Sequence, residues 1–205
     1  MEKTILLYAP TSPYVRKVLV FAHETGVLAD IELQTVKTSP VIRQDAIMAA
    51  NPLGKIPTLV LGDGTALFDS RVICEYLDSC HDGAALFPAA GAARWQMLRL
   101  QAMADGILDA GVAHRYETFL RPEAYRWADW IEGQKQKIEA VLDALEAAAQ
   151  SLPEIDAGAI AIGCALGYLD FRLADLNWRE NRPGLAAWFA AFAARPSMRA
   201  TMPAG

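Results

Sequence analysis

Two short segments of the chain, one around Pro57 and one around Asp69, carry the groups needed to bind a small peptide. Pro57 stands at the mouth of an apolar run of the buried-strand type, and proline belongs at the first residue of a strand or at a bulge. X-Pro bonds adopt the cis form most readily, and a cis turn there would leave the backbone of Ile56 facing outward to pair with an extended peptide. Asp69 and Ser70 open a helix, whose N-terminus binds anions. Together the segments predict a surface that recognises a peptide carrying a carboxylate.

A third segment predicts a helix start, with Ser12 as its N-cap and Pro13 at its first position. Capping alone accounts for a serine here, since a cap stabilises by roughly 1 kcal/mol. Its hydroxyl is also placed to donate to a bound thiolate, and a helix N-terminus lowers the pKa of a thiol from about 8.5. Because the thiolate is the nucleophile, this would accelerate reaction by electrostatic stabilisation. Residues 12–15 lack both cysteines of a Cys-x-x-Cys motif, which argues against dithiol chemistry.

The elements that must position these segments follow from the apolar pattern of the first 80 residues. Strands are predicted at 5–8, 31–36, 58–61 and 66–68, and helices at 13–25, 41–50 and 69–79. The order is βαβαββα. Its first half is a βαβ unit with parallel strands, and its second half is an antiparallel hairpin followed by a helix. This is the thioredoxin-like arrangement.

The strand signals stop after residue 80. Residues 81–93 have the glycine and proline content of a linker, and the remaining chain predicts only helices, at 94–120, 123–151, 160–174 and 183–194. We therefore predict a thioredoxin-like N-terminal α/β domain at 1–80, a linker at 81–93 and an all-α C-terminal domain at 94–205.

Composition excludes several classes of function. The net charge of -5 gives no support for nucleic-acid binding, and no apolar run approaches the ~20 residues of a membrane span. The chain shows no signal peptide. Its three scattered cysteines predict a reducing cytoplasm rather than a disulfide framework. Their spacing does not fit a metal site, so no metal is expected.

The blocks Thr11–Val18, Asn51–Pro57 and Phe68–Leu77, in this order, resemble the cytosolic glutathione transferases over essentially the whole chain. The closest likeness is to bacterial members of serine-type or less assigned classes. The resemblance implies that Ile56 pairs through its backbone with the cysteinyl part of glutathione, with Pro57 as the cis residue. It also implies that Asp69 and Ser70 hold the γ-glutamyl group. The hydroxyl that acts on the sulfur maps to Ser12, with Thr11 as the next candidate.

Several further positions have weaker support. Lys55 contacts the peptide or is merely exposed, and Tyr14 is a binding candidate or a packing residue. In several related enzymes an acidic residue of the corresponding helix reaches the glutathione of the neighbouring subunit, a role that maps to Asp105. Asp105 and Asp109 share a helix face, but nothing else supports a paired-carboxylate hydrolase. Arg16 and Lys17 are candidates to attract an anionic ligand, but they are expected rather to solvate the helix face.

The resemblance implies an enzyme of detoxification that transfers the glutathione thiolate to a small hydrophobic electrophile, with glutathione as co-substrate. The helical domain would supply an apolar acceptor pocket. A homodimer is expected, without nucleic-acid or membrane partners. Two alternatives stay open, because fold does not fix function. One is a non-catalytic interaction or regulatory protein, and the other is a glutathione-dependent isomerase, reductase or lyase. The identity of the electrophile, and the choice between Thr11 and Ser12, are not determined by the sequence.

Overall fold

The computed structural model describes residues 3–203. The strands are β1 (Thr4–Tyr8), β2 (Ile31–Thr35), β3 (Thr58–Val60) and β4 (Ala66–Leu67). The helices are α1 (Pro13–Glu24), α2 (Asp45–Met48), α3 (Ser70–Asp78), α4 (Gly91–Arg115), α5 (Ala128–Ala147), α6 (Ala157–Arg172), α7 (Pro183–Ala193) and α8 (Pro196–Ala200). The chain divides into two compact units, one that runs to Phe87 and includes the chain from Pro196 onward, and one from Pro88 to Arg195.

The first unit is built on a four-stranded sheet in the order β2-β1-β3-β4. β1 and β2 are parallel, as their helical crossover requires, whereas β1 and β3 and also β3 and β4 are antiparallel. The predicted βαβαββα order is confirmed, and with it the thioredoxin-like fold. α2 is shorter than the predicted 41–50, because Ser39 Oγ accepts from Val41 and Ile42 N–H in a separate turn. Gln44 then has an extended backbone, so the helix begins only at Asp45.

α1 is buried on nearly all its faces. Val18 and Phe21 join Leu6 of β1 and Leu59 of β3 in the core. The expectation that Arg16 and Lys17 solvate the helix face is wrong, because both side chains are buried and Lys17 is only 1% exposed. The amphipathic pattern did not show this, because the long stems of these residues pack as apolar surface.

The end of the chain belongs to the first unit because α8 packs on α1. Arg16 Nη2 donates to the carbonyl of Met198 at 3.0 Å, and its Nε approaches Thr201 Oγ1 at 3.5 Å. The hydroxyl of Ser197 donates to the carboxylate of Glu24 at the other end of α1. A guanidinium near the C-terminus of a helix satisfies carbonyls that have no partner within the helix. The predicted helical domain extended to residue 205, whereas here the last helix contacts α1.

The second unit is all-helical, as predicted. α4 begins at Gly91, within the predicted linker, and continues into a single π-helical segment at Tyr116–Leu120. The chain breaks at Arg121-Pro122, where the proline removes a backbone donor. Among residues 3–203, no helix combines the length and apolar character needed to cross a membrane.

α6 forms the centre of the second unit, and every residue from Ala157 to Leu169 is buried. Asp156 caps its N-terminus by accepting from Ala159 N–H at 2.7 Å. Gly163 lies against the ring of Phe192 on α7, so closely that an added Cβ would stand 2.4 Å from two ring atoms. Phe192 itself stacks on Trp188, with ring centroids 4.9 Å apart. The absence of a side chain at Gly163 therefore sets how closely α7 packs on α6.

His114, buried near the end of α4, is expected to make stability depend on pH. Burial lowers the pKa of His114, the charge of Lys135 on α5 lowers it further, and the carboxylate of Asp175 opposes this shift. In the unfolded chain His114 has a pKa of about 6.5, so below that pH it binds a proton there. In the folded chain, where its pKa is lower, it binds that proton less readily. The free energy of unfolding should fall between pH 7.5 and pH 5.5, and by less in His114→Gln. Urea unfolding at both pH values measures this, and equal losses in the two proteins would contradict it.

Candidate glutathione site

Three segments of the first unit meet at one edge of the sheet because of the strand register. Leu7, near the end of β1, pairs with Thr58, the first residue of β3, in antiparallel orientation. Leu59 in turn pairs with Leu67, the last residue of β4. The chain that follows β1, the chain that precedes β3 and the chain that follows β4 therefore lie side by side. This edge brings together the predicted residues Thr11, Ser12, Tyr14, Lys55, Ile56, Pro57, Asp69 and Ser70.

Ser12 is the N-cap of α1, in the extended conformation, with Pro13 at the first helical position. Its Oγ accepts from Val15 N–H at 3.4 Å. A hydroxyl has one proton and two lone pairs, so this bond leaves the proton to donate to another group. Thr11 is exposed and Tyr14 is half-buried. The site therefore has a hydroxyl donor at the positive end of a twelve-residue helix.

The second segment ends in a cis peptide bond between Ile56 and Pro57. Within residues 3–203, no backbone hydrogen bond uses the N–H or the C=O of Ile56. Pro57 is buried, whereas Lys55 is exposed. The segment thus presents backbone groups of Ile56 that can pair with an extended peptide.

The third segment opens α3, with Asp69 as N-cap and Ser70 as the first helical residue. Asp69 Oδ1 accepts from Arg71 N–H at 2.9 Å, and Oδ2 pairs with the guanidinium of Arg71 at 3.0 Å. Partial burial alone would raise the pKa of Asp69, but the hydrogen bonds from Arg71 and the charges of Arg71 and Lys17 together lower it. Asp69 is therefore a carboxylate at neutral pH, with a side chain that is still 53% exposed. Ser70 is buried directly beside it.

Lys17 contributes positive charge to this site, the role that the sequence analysis ranked second to a solvated helix face. Its buried ammonium lies within electrostatic range of Asp69, because α1 packs on α3. Helical side chains lean toward the helix N-terminus, so its charge adds to that of the two helix ends. The nearly continuous apolar run at 18–22 was the signal available, since it indicates a helix buried on more than one face.

Asp105 is buried on α4, in the second unit. Its role at a neighbouring subunit stays a prediction. Among residues 3–203, no group of three or more His, Cys, Asp or Glu side chains is arranged to hold a metal ion.

Comparison with known proteins identifies the family. Residues 11–80 match the glutathione S-transferase N-terminal domain, and residues 128–191 match the glutathione S-transferase C-terminal domain. The uncharacterised GST-like protein YibF of Escherichia coli (strain K12) is 33% identical, over 94% of this chain and 95% of its own.

A glutathione transferase family member from Pseudomonas fluorescens Pf-5, solved with bound glutathione, is 50% identical. It superposes with a TM-score of 0.97 over 99% of this chain and 100% of its own. A second structure from that organism, with bound S-(propanoic acid)-glutathione, is also 50% identical, with a TM-score of 0.91 over 98% of this chain and 100% of its own. With its sequence matched along nearly its whole length, the chain belongs to the glutathione S-transferase family.

Proposed function

We propose that this protein binds glutathione at the edge where its three segments meet, and that it transfers the glutathione thiolate to a small electrophile. The observation that carries the proposal is the convergence of two helix N-termini, the Ser12 hydroxyl and the backbone of Ile56 at one sheet edge. The bound glutathione and glutathione conjugate in the two 50% identical structures support it.

The peptide is held by complementary charge and by backbone pairing. The ionised Asp69 pairs with the ammonium of the γ-glutamyl group, while Ser70 and the first N–H groups of α3 bind its carboxylate. The backbone of Ile56 pairs with the cysteinyl part, and Pro57 shapes this turn. Lys55, which is exposed, and Tyr14, which is half-buried, are proposed as contacts at the rim of the site.

This arrangement places the thiol of glutathione at the N-terminus of α1. Ser12 donates a hydrogen bond to the sulfur, and the helix end adds positive potential, so that the thiol loses its proton to water near neutral pH. The thiolate then forms a bond to an electrophilic carbon. The displaced electron pair departs with a leaving group or, when an activated alkene is attacked, ends on a carbon that takes up a proton from water. The three-carbon acid on sulfur in the Pseudomonas complex fits either course.

We also propose that the protein is a homodimer that acts in detoxification in the cytoplasm. Its second substrate would be a small hydrophobic electrophile. None of the three cysteines, all of which lie within the described residues, forms a disulfide. This agrees with a reducing compartment.

Calorimetric titration with glutathione tests the proposal. The wild-type protein is expected to bind, Ser70→Ala to bind about tenfold or more weakly because it loses a hydrogen bond to a charged group, and Ile56→Pro to lose the N–H that pairs with the ligand. Ser79→Ala, at the other end of α3, is the matched control and should bind like the wild type. Binding lost only in the two site variants justifies an electrophile screen beginning with acrylate. A wild-type protein that does not bind millimolar glutathione would overturn the proposal and favour a non-catalytic interaction protein.

A further inference from the structure

We infer that Asn51 and Thr58 are positioning residues for the glutathione site: their side chains orient the Lys55–Ile56 peptide group so that the N–H of Ile56 faces the ligand. Neither residue needs to touch glutathione to do so. The inference rests on the proposed function, because it assigns a task to residues that lie behind the proposed site.

Asn51 is the centre of a closed hydrogen-bond network. Its side chain, only 1% exposed, donates from Nδ2 to the carbonyl oxygen of Lys55 at 3.0 Å and to Thr58 Oγ1 at 3.1 Å. Its Oδ1 accepts from Leu53 N–H at 3.0 Å, and its own carbonyl accepts from Gly54 N–H at 2.9 Å. Both amide protons are therefore used, and the turn between Asn51 and Lys55 is fixed at several points.

Thr58 closes the network from the other side. It is fully buried, its hydroxyl accepts from Asn51, and the same hydroxyl donates to the carbonyl of Lys55 at 2.9 Å. As the first residue of β3, Thr58 is paired with Leu7 in the middle of the sheet. The carbonyl of Lys55 is thus held by two donors, one of which is anchored to a core strand.

The consequence for Ile56 follows from peptide geometry. A trans peptide group is planar, and its C=O and N–H point in opposite directions. The Lys55–Ile56 bond is trans, because the two cis bonds among residues 3–203 are Ile56–Pro57 and Phe68–Asp69. With the carbonyl of Lys55 turned inward to Asn51 and Thr58, the N–H of Ile56 must point away from them. That is the donor which the proposed function assigns to the ligand.

The residue types fit positioning better than packing. A buried hydrogen bond between side chains adds little net stability compared with two apolar groups of the same shape. Loss of one partner alone is costly, because the other polar group is left buried and unsatisfied. Only an amide supplies two donors and an acceptor at position 51, because a carboxylate there would lack both donors. The partners here include the backbone groups of Leu53 and Lys55, which apolar side chains at positions 51 and 58 would leave unsatisfied.

Steady-state kinetics with glutathione and an accepted electrophile test the inference. Thr58→Val and Asn51→Ala are expected to raise the KM for glutathione about tenfold, as the loss of one well-oriented hydrogen bond to the ligand would. The kcat at saturating glutathione and the KM for the electrophile should stay within about twofold, because Ser12 is untouched. Thr58→Ser keeps the hydroxyl and should restore the wild-type KM.

A matched control separates positioning from loss of stability. Thr25→Val removes the hydroxyl bond from Thr25 to the carbonyl of Phe21 at the far end of α1. It should lower the free energy of unfolding, measured in urea, without changing either KM. A glutathione KM that is unchanged in folded Thr58→Val and Asn51→Ala would overturn the inference while leaving the proposed function intact. A KM that rises equally in Thr25→Val, or that Thr58→Ser fails to restore, would also overturn it. A wild-type protein without glutathione binding would overturn both.

Discussion

Ser12→Ala is expected to lower kcat for glutathione transfer by about 10²-fold, the loss seen when one donor to a developing or bound anion is removed. Glutathione affinity should fall much less, because Ile56, Asp69 and Ser70 still hold the peptide. The reason is the placement of Ser12: its oxygen already accepts from Val15 N–H, which leaves its proton available to donate to the proposed thiolate. Without that proton the pKa of the bound thiol rises, and the rate at neutral pH falls with the thiolate fraction.

The pH dependence of kcat separates this effect from a loss of the helix cap. In Ser12→Ala the apparent pKa of the rate should move upward, whereas a cap defect alone would cost about 1 kcal/mol of stability without moving it. Thr11→Ala is the matched control, since Thr11 is the exposed hydroxyl next to Ser12. Equal turnover in Ser12→Ala and wild type would end the assignment of Ser12. A loss confined to Thr11→Ala would transfer the role to Thr11.

Gly163→Ala is expected to destabilise the protein by about 2 kcal/mol or more, although alanine favours helix by up to about 1 kcal/mol over glycine. Steric overlap outweighs this gain, because the new methyl group would stand 2.4 Å from Cδ1 and Cε1 of Phe192. Such overpacking costs typically 1–3 kcal/mol, and sometimes more. The ring of Phe192 cannot easily retreat, since it stacks on Trp188, whose indole N–H is bonded to the carbonyl of Pro153 at 3.2 Å.

Urea unfolding measures the effect, and the chain offers a control of the same chemistry. Gly133 lies inside α5 with nothing within 4 Å of an added Cβ. Gly133→Ala should therefore raise the free energy of unfolding by roughly 0.5–1 kcal/mol. Adding Phe192→Leu to Gly163→Ala should recover part of the loss, because the smaller side chain leaves room. If the two glycine variants were equally stable, the close approach of α7 to α6 would not be what Gly163 provides.

Local sequence was sufficient for the features that depend on near neighbours. Ser12-Pro13 and Asp69 predicted the starts of α1 and α3, because caps bond within three residues of themselves. The alternation of strand and helix patterns predicted the order of the first unit. The strand register then brought the predicted site residues of that unit to one edge, which is a property of topology rather than of any single motif.

The features that sequence reasoning missed depend on contacts made only after folding. Lysine is typical of protein surfaces, yet the packing of α1 against α3 buries Lys17. The network around Asn51 joins residues up to seven positions apart across an irregular loop, for which no periodicity exists. The predicted helix at 41–50 was too long because Gln44 has an extended backbone, so that α2 begins only at Asp45.

The bond from Arg16 to the carbonyl of Met198 also has a consequence for synthesis of the protein on the ribosome. N-terminal domains commonly fold while the rest of the chain is still being made. Here the first compact unit includes the chain from Pro196 onward, so it lacks α8 until translation has passed these residues. Until then the guanidinium of Arg16 lacks the carbonyl that it binds in the finished protein. A nascent chain stopped before Pro196 should therefore be more susceptible to proteolysis within residues 3–87 than the released protein.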